Sequence, residues 1–249
     1  MNSTVYILCQ IIVFLITFFL IAFTTYGLRR AYLAMGKDML RQKQMIKWVF
    51  YGMVCWLVII TMLSGMGFYS RFEVLPPRVF VFAMFPPMLL IISLLFSKGF
   101  GEVLSFIPPQ WLVQIQTFRV LMEIMLWLGF MGYFIPFQMT FVGFNMDIIA
   151  GITAFFAGRI FFGNKRFLLP ESIIWNIFGI FLLLNILFIA TISTPSPLQI
   201  FKNEPVNTFI AKPLFIWIPG FIVPFAIAMH LFSIKQVFIL KRKLVNGDR

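Results

Sequence analysis

The chain has a long apolar run at residues 5–27, VYILCQIIVFLITFFLIAFTTYG, which contains no Asp, Glu, Lys or Arg. A helix needs about 20 apolar residues to cross the hydrocarbon core of a bilayer. This stretch therefore predicts a transmembrane helix near the amino terminus.

Six further stretches have the same apolar character, at about residues 46–68, 79–96, 110–134, 139–162, 172–192 and 213–234. The whole chain of 249 residues is 61% hydrophobic and only 11% charged, whereas soluble domains are about 45–50% apolar and about 25% charged. This composition excludes a soluble enzyme, a disordered chain and a disulfide scaffold. It predicts an all-α bundle of seven transmembrane helices that forms one domain over residues 1–249 and contacts the lipid bilayer.

The Lys and Arg residues are distributed unevenly among the connections between these stretches. With the amino terminus outside, the inner loops and the tail hold fifteen of the 20: Arg29, Arg30, Lys37, Arg41, Lys43, Lys47, Lys98, Arg159, Lys165, Arg166, Lys235, Lys241, Arg242, Lys243 and Arg249. Four fall outside: Arg71, Arg78, Lys202 and Lys212. Because cytoplasmic loops are enriched in basic residues, we expect an outer amino terminus, a cytoplasmic carboxy terminus and a multi-pass position in the inner (plasma) membrane.

The formal net charge of +12 is explained by this topology, so nucleic acid is not an expected partner. The two cysteines, Cys9 and Cys55, lie in apolar runs without a CxxC pattern, and we expect neither a metal site nor a cofactor. The last stretch contains no lysine for a retinal Schiff base, because Lys212 and Lys235 bracket it. An enzymatic function is less expected than a non-enzymatic one.

Three charged residues lie inside the predicted spans, where a charge costs about 2.5–3.5 kcal/mol on insertion scales. Arg119 and Glu123 fall in the fourth stretch, and Asp147 falls in the fifth. Gln116, Arg119 and Glu123 share one helical face, and Arg119 and Glu123 are spaced to pair as i, i+4 neighbours. A face of this kind turns towards the interior of a membrane bundle.

The fifth stretch runs antiparallel to the fourth. A helix that begins at Gln138 would place Asp147 about 13 Å deep in the membrane, and Arg119 would lie at a similar depth from the other side. Arg119, Glu123 and Asp147 are thus predicted to form a polar ladder across the midplane. Two acids and one base leave one negative charge, and a lone carboxylate in a low dielectric takes up a proton or holds a cation.

Uncharged polar residues accompany this ladder. Asn145 lies beside Asp147, and Asn176 and Asn185 lie in the sixth stretch. His230 is predicted to be an interfacial residue at the inner end of the last stretch rather than a ligand. Small residues around Asp147 are expected to allow close helix packing, and the prolines of the last stretch are expected to kink it.

One part of the sequence resembles a known family. It is Gln116-x-x-Arg119-x-x-x-Glu123-x-x-x-Trp127, followed by Met139-Thr140-Phe141-x-Gly143-x-Asn145-x-Asp147-Ile148-x-x-Gly151-x-Thr153-Ala154. Over about 45 residues this resembles an uncharacterised family of bacterial seven-helix membrane proteins. Phe144 stands where members of that family often have Arg. The resemblance implies a bacterial inner-membrane protein and implies no activity.

Two functions remain open. The first is transport of a small solute, an ion or a proton, with Gln116, Arg119, Glu123, Asn145 and Asp147 as the candidate binding or relay residues. The second is a non-catalytic membrane subunit or sensor that binds a lipid, a ligand or a partner protein. In this second function the same residues act as interhelical glue and Glu123 is protonated.

Overall fold

A computed structural model describes residues 2–36, 38–163 and 167–246, and this part of the chain is all-α. Its helices are α1 (Ser3–Ala34), α2 (Met39–Gly65), α3 (Phe85–Phe96), α4 (Lys98–Leu104), α5 (Pro109–Gln114), α6 (Phe118–Met131), α7 (Asp147–Phe162), α8 (Leu169–Ile192) and α9 (Val223–Asn246). Four of the basic residues that predict the topology lie outside the described residues: Lys37, Lys165, Arg166 and Arg249.

Six helical segments are long and apolar enough to cross a membrane: Ser3–Ala34, Met39–Gly65, Val79–Phe96, Pro109–Met131, Leu169–Ile192 and Ile218–Val245. Each coincides with one of the predicted stretches. Large apolar side chains are exposed along them, such as Phe18, Trp48 and Phe181. An exposed apolar surface of this extent is normal where lipid is the solvent. The chain is therefore a multi-helix protein with the character of a polytopic membrane protein.

The predicted span at residues 139–162 differs from the other six. Its helix, α7, begins only at Asp147 and has 16 residues, which corresponds to a length of about 24 Å. The preceding residues 132–146 form turns and a short 3₁₀ helix at Phe137–Met139. The depth predicted for Asp147 assumed a helix that begins at Gln138, and this assumption was wrong.

The fourth predicted span is a composite helix. Pro109 is the first residue of α5, where the missing N–H of proline is tolerated, and a 3₁₀ turn at Ile115–Thr117 joins α5 to α6. The connection before it contains the short helix α4. The apolar helical segment Pro109–Met131 begins one residue before the predicted start of this span.

The prolines of the last span coincide with an irregular turn. Residues Ile218–Ile222 form a π-helical turn immediately before α9. Pro224 has no N–H to donate to the carbonyl of Gly220, four residues earlier. The indole Nε1 of Trp56 on α2 donates to that carbonyl instead, at 2.9 Å. A second π-helical turn, Val79–Met84, precedes α3 and is followed by Pro86 and Pro87.

Hydrogen bonds tie the connections together at each end of the bundle. At one end they join Asn2 to Gly132, Ser64 to Ala211 and Gln138 to Ser193. At the other end the ammonium group of Lys235 donates to the carbonyl of Ser97, at 2.8 Å. Successive long helices therefore alternate in direction, and the polar residues of α6 and α7 lie in the interior between the two ends.

Candidate functional site

The side chain of Arg119 forms a buried ion pair with Asp147. Its Nε donates to Asp147 Oδ2 at 2.7 Å and its Nη2 donates to Asp147 Oδ1. Arg119 belongs to the first turn of α6 and is 1% exposed, and Asp147 begins α7 and is 5% exposed. A bidentate contact matches the fork of a guanidinium to a carboxylate. The base of the cluster is thus paired across two helices, with Asp147 rather than with Glu123 on its own helix.

Glu123 lies one turn further along α6 and is 1% exposed. Its Oε1 accepts a hydrogen bond from Asn145 Nδ2 at 2.6 Å. Its Oε2 is buried and has no hydrogen-bond partner among the described residues. Glu123 is therefore the acid of this cluster whose second oxygen lacks a partner among the described residues.

Asn145 connects the two acids. Its Nδ2 donates to Glu123, and its Oδ1 accepts from the backbone N–H of Asp147 at 3.1 Å. This second bond satisfies a free donor at the amino terminus of α7. The positive end of the helix dipole also favours a carboxylate at this position. The late start of α7 therefore places a helix terminus, Asn145 and Asp147 inside the protein.

The backbone before α7 depends on a close approach at Gly143. A Cβ at Gly143 would collide with the carbonyl oxygen of Phe137 and would lie 2.8 Å from the Cα of Gln138. Non-helical backbone at membrane depth is tolerated where it is buried in protein, and Gln138, Met139 and Thr140 of this segment are buried.

His230 on α9 extends the cluster on the other side of Arg119. Arg119 Nη1 lies 3.0 Å from His230 Nε2, and His230 Nδ1 lies 2.9 Å from Asn176 Oδ1 on α8. A guanidinium can only donate, so Nε2 accepts and Nδ1 carries the hydrogen that is donated to Asn176. Asn176 Nδ2 in turn donates to Ser233 Oγ at 3.0 Å.

His230 is wholly buried, so the prediction of an interfacial histidine was wrong. Sequence reasoning missed the connection of His230 and Asn176 to Arg119. The available signal was that the only histidine of the chain and an asparagine both lie in apolar stretches, where unpaired polar groups are costly. The two residues are 54 positions apart, and no spacing rule joins them.

Gln116 is buried but belongs to a different hydrogen-bond pattern. Its Nε2 donates to the backbone carbonyl of Ala226 on α9 at 2.8 Å. Of the five predicted site residues, the structure thus joins Arg119, Glu123, Asn145 and Asp147 by hydrogen bonds. Gln116 shares their helix and attaches it to α9.

Two glycines allow the helices to approach the cluster. A Cβ at Gly151 on α7 would lie 2.8 Å from the backbone nitrogen of Val120 on α6. A Cβ at Gly179 on α8 would lie 2.5 Å from His230 Nε2, and the carbonyl of Gly179 accepts from Arg119 Nη2 at 3.3 Å. The small residues around Asp147 therefore serve close packing, as the sequence predicts.

A cavity of about 50 Å³ lies beside the cluster. Its lining consists of Phe118, Arg119, Met122, Glu123, Leu126, Asp147, Leu183, Ile186, Ile218, Ile222, Val223 and Ala226. One water molecule needs about 10–15 Å³ of such space, so this volume has room for a small number of waters. Within the described ranges, no three His, Cys, Asp or Glu side chains are placed to hold a metal ion.

Comparisons with known proteins give no match: no protein-family model, no curated protein and no solved structure matches this chain. The assignment therefore depends on the geometry of the chain itself, which is that of a multi-helix protein with six apolar spans and a small buried polar cluster.

Proposed function

We propose that this chain moves protons across a membrane, with the Glu123 carboxyl as the group that takes up and releases the proton. The observation that carries this proposal is the buried Oε2 of Glu123, which has no hydrogen-bond partner among the described residues. Glu123 also lines a cavity with room for water. Ionisable groups of this kind inside membrane spans mark proton relays and ion pathways.

The surroundings of Glu123 favour a proton over a metal cation or a larger solute. Both oxygens of Asp147 accept from Arg119, and the guanidinium charge next to the cavity opposes a second cation. The remaining lining of the cavity is apolar, whereas hard cations need several oxygen ligands. A cavity of about 50 Å³ is also small for an organic solute.

The membrane arrangement is part of the same proposal. Seven crossings are reached if α7 and the partly buried segment before it, residues 132–146, form the seventh crossing together. The amino terminus then lies outside, the carboxy terminus lies in the cytoplasm, and the membrane is the inner (plasma) membrane of a bacterium, as the resemblance to the seven-helix family implies. The excess of basic residues in the predicted inner loops supports this orientation.

The test is proton flux into liposomes that contain the purified protein and a trapped pH-sensitive dye. A potassium diffusion potential drives the flux. We expect the Glu123→Gln variant to lose the flux down to the level of protein-free liposomes, because the amide keeps the shape of the side chain but cannot carry a proton.

The matched control is Glu171→Gln, which makes the same chemical change at an exposed position in the first turn of α8. This control should retain the flux of the unaltered protein. Equal flux in Glu123→Gln and in the unaltered protein, with both correctly folded, would contradict the proposal.

A second function is favoured by a separate observation. Arg119 alone links four helices, because α6 carries it and its partners are Asp147 on α7, the Gly179 carbonyl on α8 and His230 on α9. This is the pattern of interhelical glue in a non-catalytic subunit or sensor. If Arg119→Ala destroys assembly while Glu123→Gln and Asp147→Asn leave the flux unchanged, this second function is correct.

A further inference from the structure

A second cavity, of about 80 Å³, lies beside the one that Glu123 lines. We call it the outer cavity, because residues of the two connections 66–78 and 193–217 contribute to its walls, among them Phe72, Pro77 and Ile210. In the proposed orientation both connections lie outside. The outer cavity therefore occupies the space between the outer connections and the polar cluster.

Four side chains line both cavities and form the wall between them: Leu126, Ile186, Ile218 and Val223. Leu126 stands on α6 one turn beyond Met122 and close to Glu123 in sequence, and Ile186 stands on α8. Ile218 and Val223 come from the π-helical turn and the start of α9. Each of the four is aliphatic, so the shortest connection between the cavities is entirely apolar.

The outer cavity also has few groups that can form hydrogen bonds with water. Its only hydroxyl groups belong to Thr191 and Thr194, and these donate to the carbonyls of Leu187 and Ala190 on α8, at 2.7 and 2.8 Å. Apolar cavities of this kind stay dry because water inside them lacks partners. Hydrophobic constrictions in channels close by the same dewetting.

The wall includes an irregular helical element. Ile218 begins the π-helical turn, which contains Gly220, and Trp56 holds the carbonyl that Pro224 leaves free. A Cβ at Gly220 would lie 2.7 Å from Ile60 Cδ1 and 3.5 Å from the Cβ of Ala83. Ala83 belongs to the other π-helical turn, so the two irregular turns contact each other beside the outer cavity. Single π turns inside helices are frequent at functional sites.

We propose that the outer cavity is the route by which protons reach Glu123 from the outer side, and that Leu126, Ile186, Ile218 and Val223 form a hydrophobic gate, which is closed in this structure. This inference rests on the proposed proton transport and adds the access route and its control. Opening the gate admits a file of water molecules between the outer connections and the Glu123 cavity.

The experiment makes the gate polar with little change of shape. Val223→Thr is nearly isosteric, and Ile186→Ser removes volume and adds a hydroxyl. We expect both variants to raise the proton flux into liposomes about tenfold, which is the rate change for a barrier lowered by about 1.4 kcal/mol. Combination with Glu123→Gln should remove the increase, because the proton then reaches no acceptor beyond the gate.

The matched control is Ile177→Ser on the same helix as Ile186, at a position that is 57% exposed on the outside of the bundle. This variant makes the same chemical change away from the gate and should leave the flux unaltered. An increase in Ile177→Ser equal to that in Ile186→Ser would overturn the proposal, because it would reflect a general loss of packing.

Thiol labelling tests the gate independently of proton transport. Leu183→Cys places a thiol in the Glu123 cavity, on the inner side of the gate, in a background in which Cys9 and Cys55 are replaced by alanine. We expect a membrane-impermeant thiol reagent to label it about tenfold faster when Ile186→Ser or Val223→Thr is also present. The Ile177→Ser background serves as the reference.

The outcomes are distinct. Faster labelling without any Glu123-dependent flux supports the gated cavity and contradicts the proposed transport. Glu123-dependent flux in the unaltered protein, with neither flux nor labelling changed by Ile186→Ser and Val223→Thr, overturns the gate and leaves the transport function standing.

Discussion

At the scale of single residues, the two acids of the cluster differ in the completeness of their partners. Asp147 receives two hydrogen bonds from Arg119 and stands at a helix amino terminus, so its charge is compensated. Glu123 receives one hydrogen bond, from the neutral side chain of Asn145. The same chemical group thus acts as the counterion of Arg119 in one position and accepts a single hydrogen bond from a neutral amide in the other.

The exchange of each acid for its amide should therefore have unequal effects on stability. Asp147→Asn removes the carboxylate that accepts both hydrogen bonds from the buried Arg119, and loss of one member of a buried ion pair costs about 3–5 kcal/mol. Glu123→Gln replaces a group whose second oxygen is unsatisfied, so it should cost much less. Thermal unfolding of the two variants in the same detergent measures the difference, and an equal or larger loss in Glu123→Gln would contradict this assignment.

His230 and Asn176 should behave as one unit that positions Arg119. His230→Phe removes both the acceptor for Arg119 and the donor for Asn176, and a buried polar group without a partner costs about 1–3 kcal/mol. Asn176→Leu removes the other half of the contact. We expect the double variant to lose about 0.5–3 kcal/mol less stability than the sum of the two single losses, as measured by chemical unfolding, whereas strictly additive losses would show that the two side chains do not interact.

At the scale of elements, irregular backbone places the cluster in the interior. α7 begins late, at Asp147, and the composite helix α5–α6 contains a 3₁₀ turn shortly before Arg119. Close approach of α8 to α9 then requires the absence of a side chain at Gly179, whose carbonyl also contacts Arg119. The packing of these helices and the polar contacts depend on the same positions.

The Gly179→Ala variant should distinguish the effect of packing on stability from the effect of helix propensity. The new Cβ would lie 2.5 Å from His230 Nε2, so the imidazole or α8 has to move, and overpacking of this kind costs about 1–3 kcal/mol. Gly52→Ala on α2 is the matched control, because no atom lies within 4 Å of its Cβ. In a helix interior Ala is about 1 kcal/mol more favourable than Gly, so we expect unfolding experiments to show that Gly52→Ala is neutral or stabilising. If Gly179→Ala is equally well tolerated, the prediction is wrong.

At the scale of the whole molecule, the polar cluster is enclosed by a bundle whose outer surface is apolar. The segments Pro109–Met131 and Ile218–Val245 are mostly buried, whereas exposed Phe, Leu, Ile and Trp side chains are concentrated on the other long helical segments. The two cavities share a wall of four aliphatic side chains in this interior.

The proposed orientation is testable with single cysteines. Lys202→Cys lies in the connection between α8 and α9, and Lys243→Cys lies in the last turn of α9. In a background in which Cys9 and Cys55 are replaced by alanine, an impermeant thiol reagent should label Lys202→Cys in intact cells and Lys243→Cys only after the cells are opened. The reverse pattern would invert the topology, and labelling of both in intact cells would show that α9 does not cross the membrane.

The amino-acid sequence alone determined the apolar helices and the members of the central charge cluster. Both follow from local properties: about 20 apolar residues are needed to span hydrocarbon, and a charge in that environment is too costly to occur without a partner. Six of the seven predicted stretches correspond to long apolar helices, and Arg119, Glu123, Asn145 and Asp147 are joined by hydrogen bonds.

Only the tertiary structure decided which of these groups are partners. Arg119 can reach either Glu123 at i+4 or Asp147 on the next helix, and the choice of Asp147 depends on the late start of α7 and the packing at Gly151 and Gly179. The burial of His230, the contact of the two π-helical turns and the shared wall of the two cavities arise from residues far apart in the chain. Helical periodicity relates residues within one helix, whereas these contacts are set by how several helices pack at once.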